Sequence, residues 1–191
     1  MANLGMGWIY ANQGKHQEAL PYYERILEQK PSHILAILGK GNALFGLHRL
    51  DEAEAMFKQV LMIDPVNEYA IAELGMVAYS KGEDNYAEQL FHQAVQINNS
   101  TFTCPYEGLG LVYMRHGKMS EAEQNFEHAI EINPKIDYMK YNGLAKIYIA
   151  RGQYQEAQEL LHQSIENYPY DTEAPKLLKM LEMKTGKLSS S

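Results

Sequence analysis

Seven histidines and a single cysteine, Cys104, are the side chains of this 191-residue chain best suited to metal ligation or nucleophilic attack. A zinc site brings His or Cys ligands together, commonly as pairs at short spacing. His92, His128 and His162 stand apart in the sequence, and none pairs at such spacing with another histidine or with Cys104. They read as surface residues, and no metal is expected. A cysteine nucleophile needs a base and a pocket that excludes water. Nothing around Cys104 suggests either, so it reads as a small, largely buried thiol. Two stretches, GMGWIYANQG and GKGNALFG, superficially resemble phosphate-cradling loops. Such a loop follows a strand, whereas these recur at a fixed period inside helical patterns, which points to packing. Asn99 with Thr101 forms a glycosylation sequon, relevant only to an exported chain. With no catalytic or cofactor-binding constellation, the chain is expected not to be an enzyme.

Those glycines belong to a longer pattern that must position everything else. Ala19, Ala53, Ala87, Ala122 and Ala157 recur at intervals of 34, 34, 35 and 35 residues. Each copy opens on a small residue: Gly7, Gly41, Gly75, Gly110, then Ala145. Three residues later come Tyr10, Leu44, Ala78, Tyr113 and Tyr148. A turn glycine follows at Gly14, Gly82, Gly117 and Gly152, with His48 in its place in the second copy. Four residues past each alanine stand Tyr23, Phe57, Phe91, Phe126 and Leu161. Pro31, Pro65, Pro134 and Pro169 close the copies, Asn99 substituting in the third.

These types have physical roles. Small residues facing one another let two helices approach, and large residues one turn away fill the space beside them. Glycine after the first helix supplies a tight turn, and proline ends the second by forcing its predecessor out of helical angles. Glu18, Asp51, Glu52, Glu121 and Glu156 sit near the starts of second helices, where the helix dipole favours them. A unit of this length buries its apolar face only against neighbouring copies. The product is an extended surface rather than a deep catalytic pocket.

The pattern resembles the tetratricopeptide repeat (TPR) in all five copies, over residues 1 to about 169. One extra residue enters before the fourth and the fifth copies. The resemblance implies an all-α, right-handed superhelical solenoid of antiparallel helix pairs, with units near 1–33, 34–67, 68–101, 102–136 and 137–171. Residues 172–185 read as a C-terminal capping helix, with Leu177, Leu178 and Leu181 on one side and Lys176, Lys179, Glu182 and Lys184 facing water. Gly186 would stop it, leaving 187–191 as a frayed tail. At the other end, Leu4, Met6, Trp8 and Ile9 have no preceding helix to shield them. That suggests either a fragment of a longer, multidomain TPR protein or an end that self-associates into a homo-oligomer.

The resemblance further implies a scaffold or adaptor whose first helices line a concave wall that binds a protein partner. Helical phase places Leu4, Trp8 and Ala11 on that wall, then Leu35, Leu38, Asn42 and Phe45, then Tyr69, Glu73, Met76 and Tyr79. The fourth copy contributes Cys104, Glu107, Leu111, Met114 and Arg115, and the fifth Met139, Asn142, Lys146 and Ile149. Each of these either faces the groove or packs between repeats. Aromatic and methionine side chains suit an apolar or amphipathic peptide or helix. Gly5, Gly39, Gly108 and Gly143 stand where missing side chains would deepen the wall, and Glu73 and Glu107 could meet a basic residue of the ligand. The co-chaperone branch clamps terminal carboxylates with lysine, arginine and asparagine; Leu4, Trp8, Gly39, Tyr69 and Glu73 occupy the matching positions, so that clamp is missing. The asparagine ladder of the nucleocytoplasmic glycosyltransferase is also missing, with only Asn42 and Asn142 available.

Charge and composition bound the partners. A net charge of −7 offers no global positive field for nucleic acid or anionic lipid. No apolar run reaches the roughly 20 residues of a membrane helix, and the start of the chain lacks the pattern of a secretory signal. One cysteine fits a reducing compartment, so the cytoplasm is expected.

Overall fold

A computed structural model describes residues 2–98, 101–134, 138–168 and 171–186. Among them there are eleven α-helices and no strand. Asn99 of the sequon, the expected closing Pro169 and the tail 187–191 lie outside the described residues. The chain divides into two compact units, Met1–Asn99 and Ser100–Ser191.

The first unit holds three antiparallel pairs. They are α1 (Ala2–Asn12) with α2 (His16–Gln29), α3 (Ile34–Gly46) with α4 (Leu50–Ile63), and α5 (Glu68–Lys81) with α6 (Asp84–Ile97). The second unit pairs α7 (Cys104–Arg115) with α8 (Met119–Ile132) and α9 (Met139–Arg151) with α10 (Tyr154–Asn167), and ends in α11 (Ala174–Thr185). The expected cap therefore forms two residues later than its composition suggested, and Gly186 ends it in left-handed geometry at φ +69°.

The turn inside each pair is built the same way five times. Lys15, Arg49, Glu83, Lys118 and Gln153 each donate a backbone N–H to the carbonyl of Tyr10, Leu44, Ala78, Tyr113 or Tyr148, at 2.8–2.9 Å. This bond closes a helix around one left-handed residue. Glycine takes that place at four turns, and His48 adopts φ +57° at the other. At the far end of α2, α4 and α8 the residue before proline is extended: Lys30, Asp64 and Asn133 have φ of −139°, −134° and −152°. Proline Cδ excludes helical angles there.

The recurring small and aromatic positions are one contact seen repeatedly. A Cβ added at Gly41 would lie 2.6 Å from the ring of Phe57, and at Gly75 2.6 Å from Phe91. Only hydrogen fits. Tyr23 is seated twice, against Gly7 of its own pair and Gly39 of the next, and Phe126 likewise against Gly110 and Gly143. Ala19, Ala53, Ala87, Ala122 and Ala157 are wholly buried. No helix of the described residues is long and apolar enough to cross a membrane.

Candidate protein-interaction groove

In the first unit the leading helices α1, α3 and α5 lie side by side. A cavity of about 480 Å³ opens over them, lined by Leu4, Gly5, Trp8, Tyr23, Leu35, Leu38, Gly39, Asn42 and Tyr69. No charged side chain lines it. Trp8, Leu35 and Tyr69 are 63%, 59% and 49% exposed, an unusual cost for large apolar groups in one depression. Tyr23 is almost wholly buried between its two glycines, and burial holds its phenol above the ordinary value of 10.0, so it remains neutral. Leu38 is half-buried against the Ile37, Val60 and Ala70 cluster. Asn42, exposed on α3, offers an amide donor and acceptor in otherwise apolar surroundings. Gly5 keeps open space, since a Cβ there would meet nothing within 4 Å. Gly39 has a second purpose that its position in sequence did not disclose, as a seat for the Tyr23 ring.

Beyond this cavity the expected wall residues fare unevenly. Phe45, Glu73 and Tyr79 are half-buried, and Met76 is buried. The expectation that Met76 faces a ligand is corrected: α5 packs against α3, α4 and α6, and every residue from 70 to 78 except Glu73 is buried. In the second unit Arg115 is exposed, Cys104 and Met139 are half-buried, and Leu111 and Met114 pack partly on the Ala122, Phe126, Leu144 and Ile147 cluster.

Four further expectations in that unit are corrected. Glu107 is 3% exposed and faces Lys140, whose Nζ lies 3.6 Å from its Oε1, so it cannot greet a ligand. Asn142 is 1% exposed and donates to Asp171 Oδ2 at 2.9 Å. Ile149 is buried in a cluster with Ala174 and Leu181 of α11. Lys146 is half-buried and ion-paired to Glu173 at 2.7 Å. The physical reason is common to Asn142, Lys146 and Ile149: the segment from Asp171 onward covers the α9 face that phase alone assigned to a partner.

One lining residue escaped the sequence reading. Tyr23 sits on a second helix, at a position that holds phenylalanine in the next three copies and leucine in the fifth, and only the pairing with Gly39 could have signalled it. His92, His128 and His162 are exposed on α6, α8 and α10. Among the described residues no three His, Cys, Asp or Glu side chains converge as metal ligands would.

Stacked antiparallel helix pairs with an uncharged groove along the leading helices define a repeat scaffold of the protein-interaction class. The tetratricopeptide repeat profile matches residues 10–74 and 113–181, and the chain belongs to the TPR family. The fold of that family generally mediates protein–protein interaction. Human FK506-binding protein-like is 40% identical over 72 residues, which cover 37% of this chain and 21% of that protein. Anaphase-promoting complex subunit 6 of Dictyostelium discoideum is 30% identical over 94 residues, covering 49% of this chain and 11% of that protein. The chain thus spans about a fifth of these relatives or less. A thermophilic TPR protein of Thermus thermophilus superposes with a TM-score of 0.82 at 19% identity, covering 95% of this chain and 98% of that one. A TPR protein of Parabacteroides merdae gives 0.72 at 20% identity, over 97% and 72% of the two chains.

Proposed function

We propose that this chain is a non-enzymatic adaptor that holds an apolar or amphipathic segment of a partner protein in the groove over α1, α3 and α5. The observation that carries this reading is the lining itself: about 480 Å³, no charge, and three large apolar side chains left in water. Covering such groups returns roughly 25 cal/mol per Å² of apolar area, while Asn42 fixes the orientation of a bound backbone. The site favours a peptide over a small metabolite because it is a trough along several helices with few polar anchors. The single cysteine suits work in the cytoplasm.

Trp8 is the only tryptophan, so the groove carries its own fluorophore. Peptides selected from a displayed library against the full chain should be apolar or amphipathic, should shift Trp8 emission on binding, and should weaken at least about tenfold with Leu35→Asp or Tyr69→Ser, the loss of one anchor. Selected peptides that ignore both substitutions would refute the groove. A second copy seated on Trp8 would instead appear as concentration-dependent mass by light scattering, abolished by Trp8→Glu, and would turn the reading towards a self-assembling scaffold.

A further inference from the structure

We propose that the depression beside the α2–α3 turn is a phosphate-binding site, taking the phosphate monoester of a phosphorylated residue on the partner segment; that the segment lies in the adjoining groove rests on the function proposed above. The cavity holds about 220 Å³ and is lined by Asn3, Leu4, Arg25, Ile26, Gln29, Lys30 and His33. Its five polar members are a guanidinium, an ammonium, two primary amides and an imidazole, and every one of them can donate a hydrogen bond. None is acidic, in a chain whose net charge is −7.

The cations here are also unclaimed. In the same unit Lys40, Arg49, Lys58 and Lys81 are each held by a carboxylate. Arg25 and Lys30 form no ion pair among the described residues. Glu24, the residue before Arg25, is drawn away to Lys40 at 3.0 Å, and Glu28 pairs with neither. Arg25 instead lies 5.9 Å from the centroid of the Tyr22 ring, which stacks on Tyr10 at 5.4 Å. That shelf positions the guanidinium without neutralising it. His33 Nδ1 accepts the N–H of Ala36 at 3.3 Å, capping α3. Neutral His33 must therefore carry its proton on Nε2, as a donor.

Charge selects the ligand class. Two fixed positive charges match a phosphate monoester, at about −1.5 to −2 near neutral pH, better than one carboxylate. Arginine and lysine then supply a fork and a point charge to the same anion. Leu4 borders both this cavity and the apolar groove. A phosphate bound here is one side chain away from the trough, so the recognised segment is an apolar run flanked by a phosphorylated residue.

The test titrates the ¹⁵N-labelled full chain with N-acetyl-O-phosphoserine amide, inorganic phosphate and acetate at matched ionic strength. Phosphoserine is expected to shift the Gln29 side-chain amide and the Arg25 Nε–H saturably, with inorganic phosphate competing and acetate giving no saturable shift. Arg25→Gln with Lys30→Gln should weaken it by about tenfold or more, whereas the charge-conserving Arg25→Lys with Lys30→Arg retains binding. Both positions are exposed, and the unfolding curves of the variants check that the fold is kept. Absence of a saturable shift, equal saturation by acetate, binding of inorganic phosphate without phosphoserine, or an undiminished response in the charge-removing variant each overturns the proposal. Unphosphorylated peptides read by Trp8 report the groove separately, so either site can fail alone.

Discussion

Removing one partner of the Glu107 and Lys140 pair should be among the most damaging single changes in the second unit. Lys140 is fully buried, Glu107 is 3% exposed, and Nζ and Oε1 are 3.6 Å apart. Among the described residues Lys140 Nζ has no hydrogen-bond partner, and the Glu107 carboxylate and the Tyr141 ring, 5.9 Å away, are the groups there that offset its lost hydration. Glu107→Leu leaves that ammonium buried beside an alkyl group. Breaking such a pair costs about 3–5 kcal/mol, whereas exchanging both members for apolar residues of similar volume is often neutral or stabilising. At about 2–4 °C per kcal/mol for a chain of this size, each single variant should melt roughly 10–15 °C lower. Lys140→Met should behave like Glu107→Leu, and the double variant should recover most of the loss.

Repeat arrays can unfold in parts, so the assay pairs thermal melting with hydrogen exchange of the α7 and α9 amides. A double-mutant cycle then separates the pair from each side chain's own packing. Additive losses, or single variants within about 1 kcal/mol of the parent, would show that Lys140 reaches water and that the burial argument is wrong.

Other outcomes follow from the turns and the ion pairs. His48 holds a left-handed φ of +57° with an exposed side chain, so His48→Gly should stabilise the first unit by about 0.5–1 kcal/mol in urea unfolding, the relief of strain outweighing the added freedom of the unfolded chain. Glu54 is held below its ordinary 4.5 by hydrogen bonds from Lys58 and then Lys81. Its contribution is therefore complete above pH 4.5 and is lost as pH falls through the depressed folded value. It is partly exposed, so the effect is small, under about 1 kcal/mol; Lys81→Met should flatten the acid limb of stability against pH, and an unchanged limb would contradict the pairing. Asp171 accepts from Asn142, Ser164 and the N–H groups of Glu173 and Ala174. Asp171→Ala should speed exchange across α11 before the rest of the unit and cost about 2–4 kcal/mol, because buried donors lose their acceptor.

The pairing of helices was legible because its signals are local and repeated. Each turn needs one left-handed residue, the first four second helices each set one ring opposite a glycine, and five copies average out single departures such as His48 and Leu161. The groove was legible in part. Trp8, Leu38, Asn42 and Tyr69, which helical phase placed on one wall, line a single cavity. Phase cannot say what covers a face, and that is decided by the following helix or segment. Glu107 and Asn142 carried polar groups that argued for exposure, yet Lys140 and Asp171, distant in sequence, enclose them. A lysine inside a mixed pattern reads as solvated unless its partner is known.

The doubled seat of Tyr23 makes the helix pairs non-interchangeable. Excising residues 34–67 would preserve period and phase, and would carry Glu73 into the place of Gly39. There the ring leaves no room even for a methyl group. A chain shortened by one whole period would thus meet a bulky acid at its new seam, and the order in which the copies occur is itself encoded, glycine by glycine.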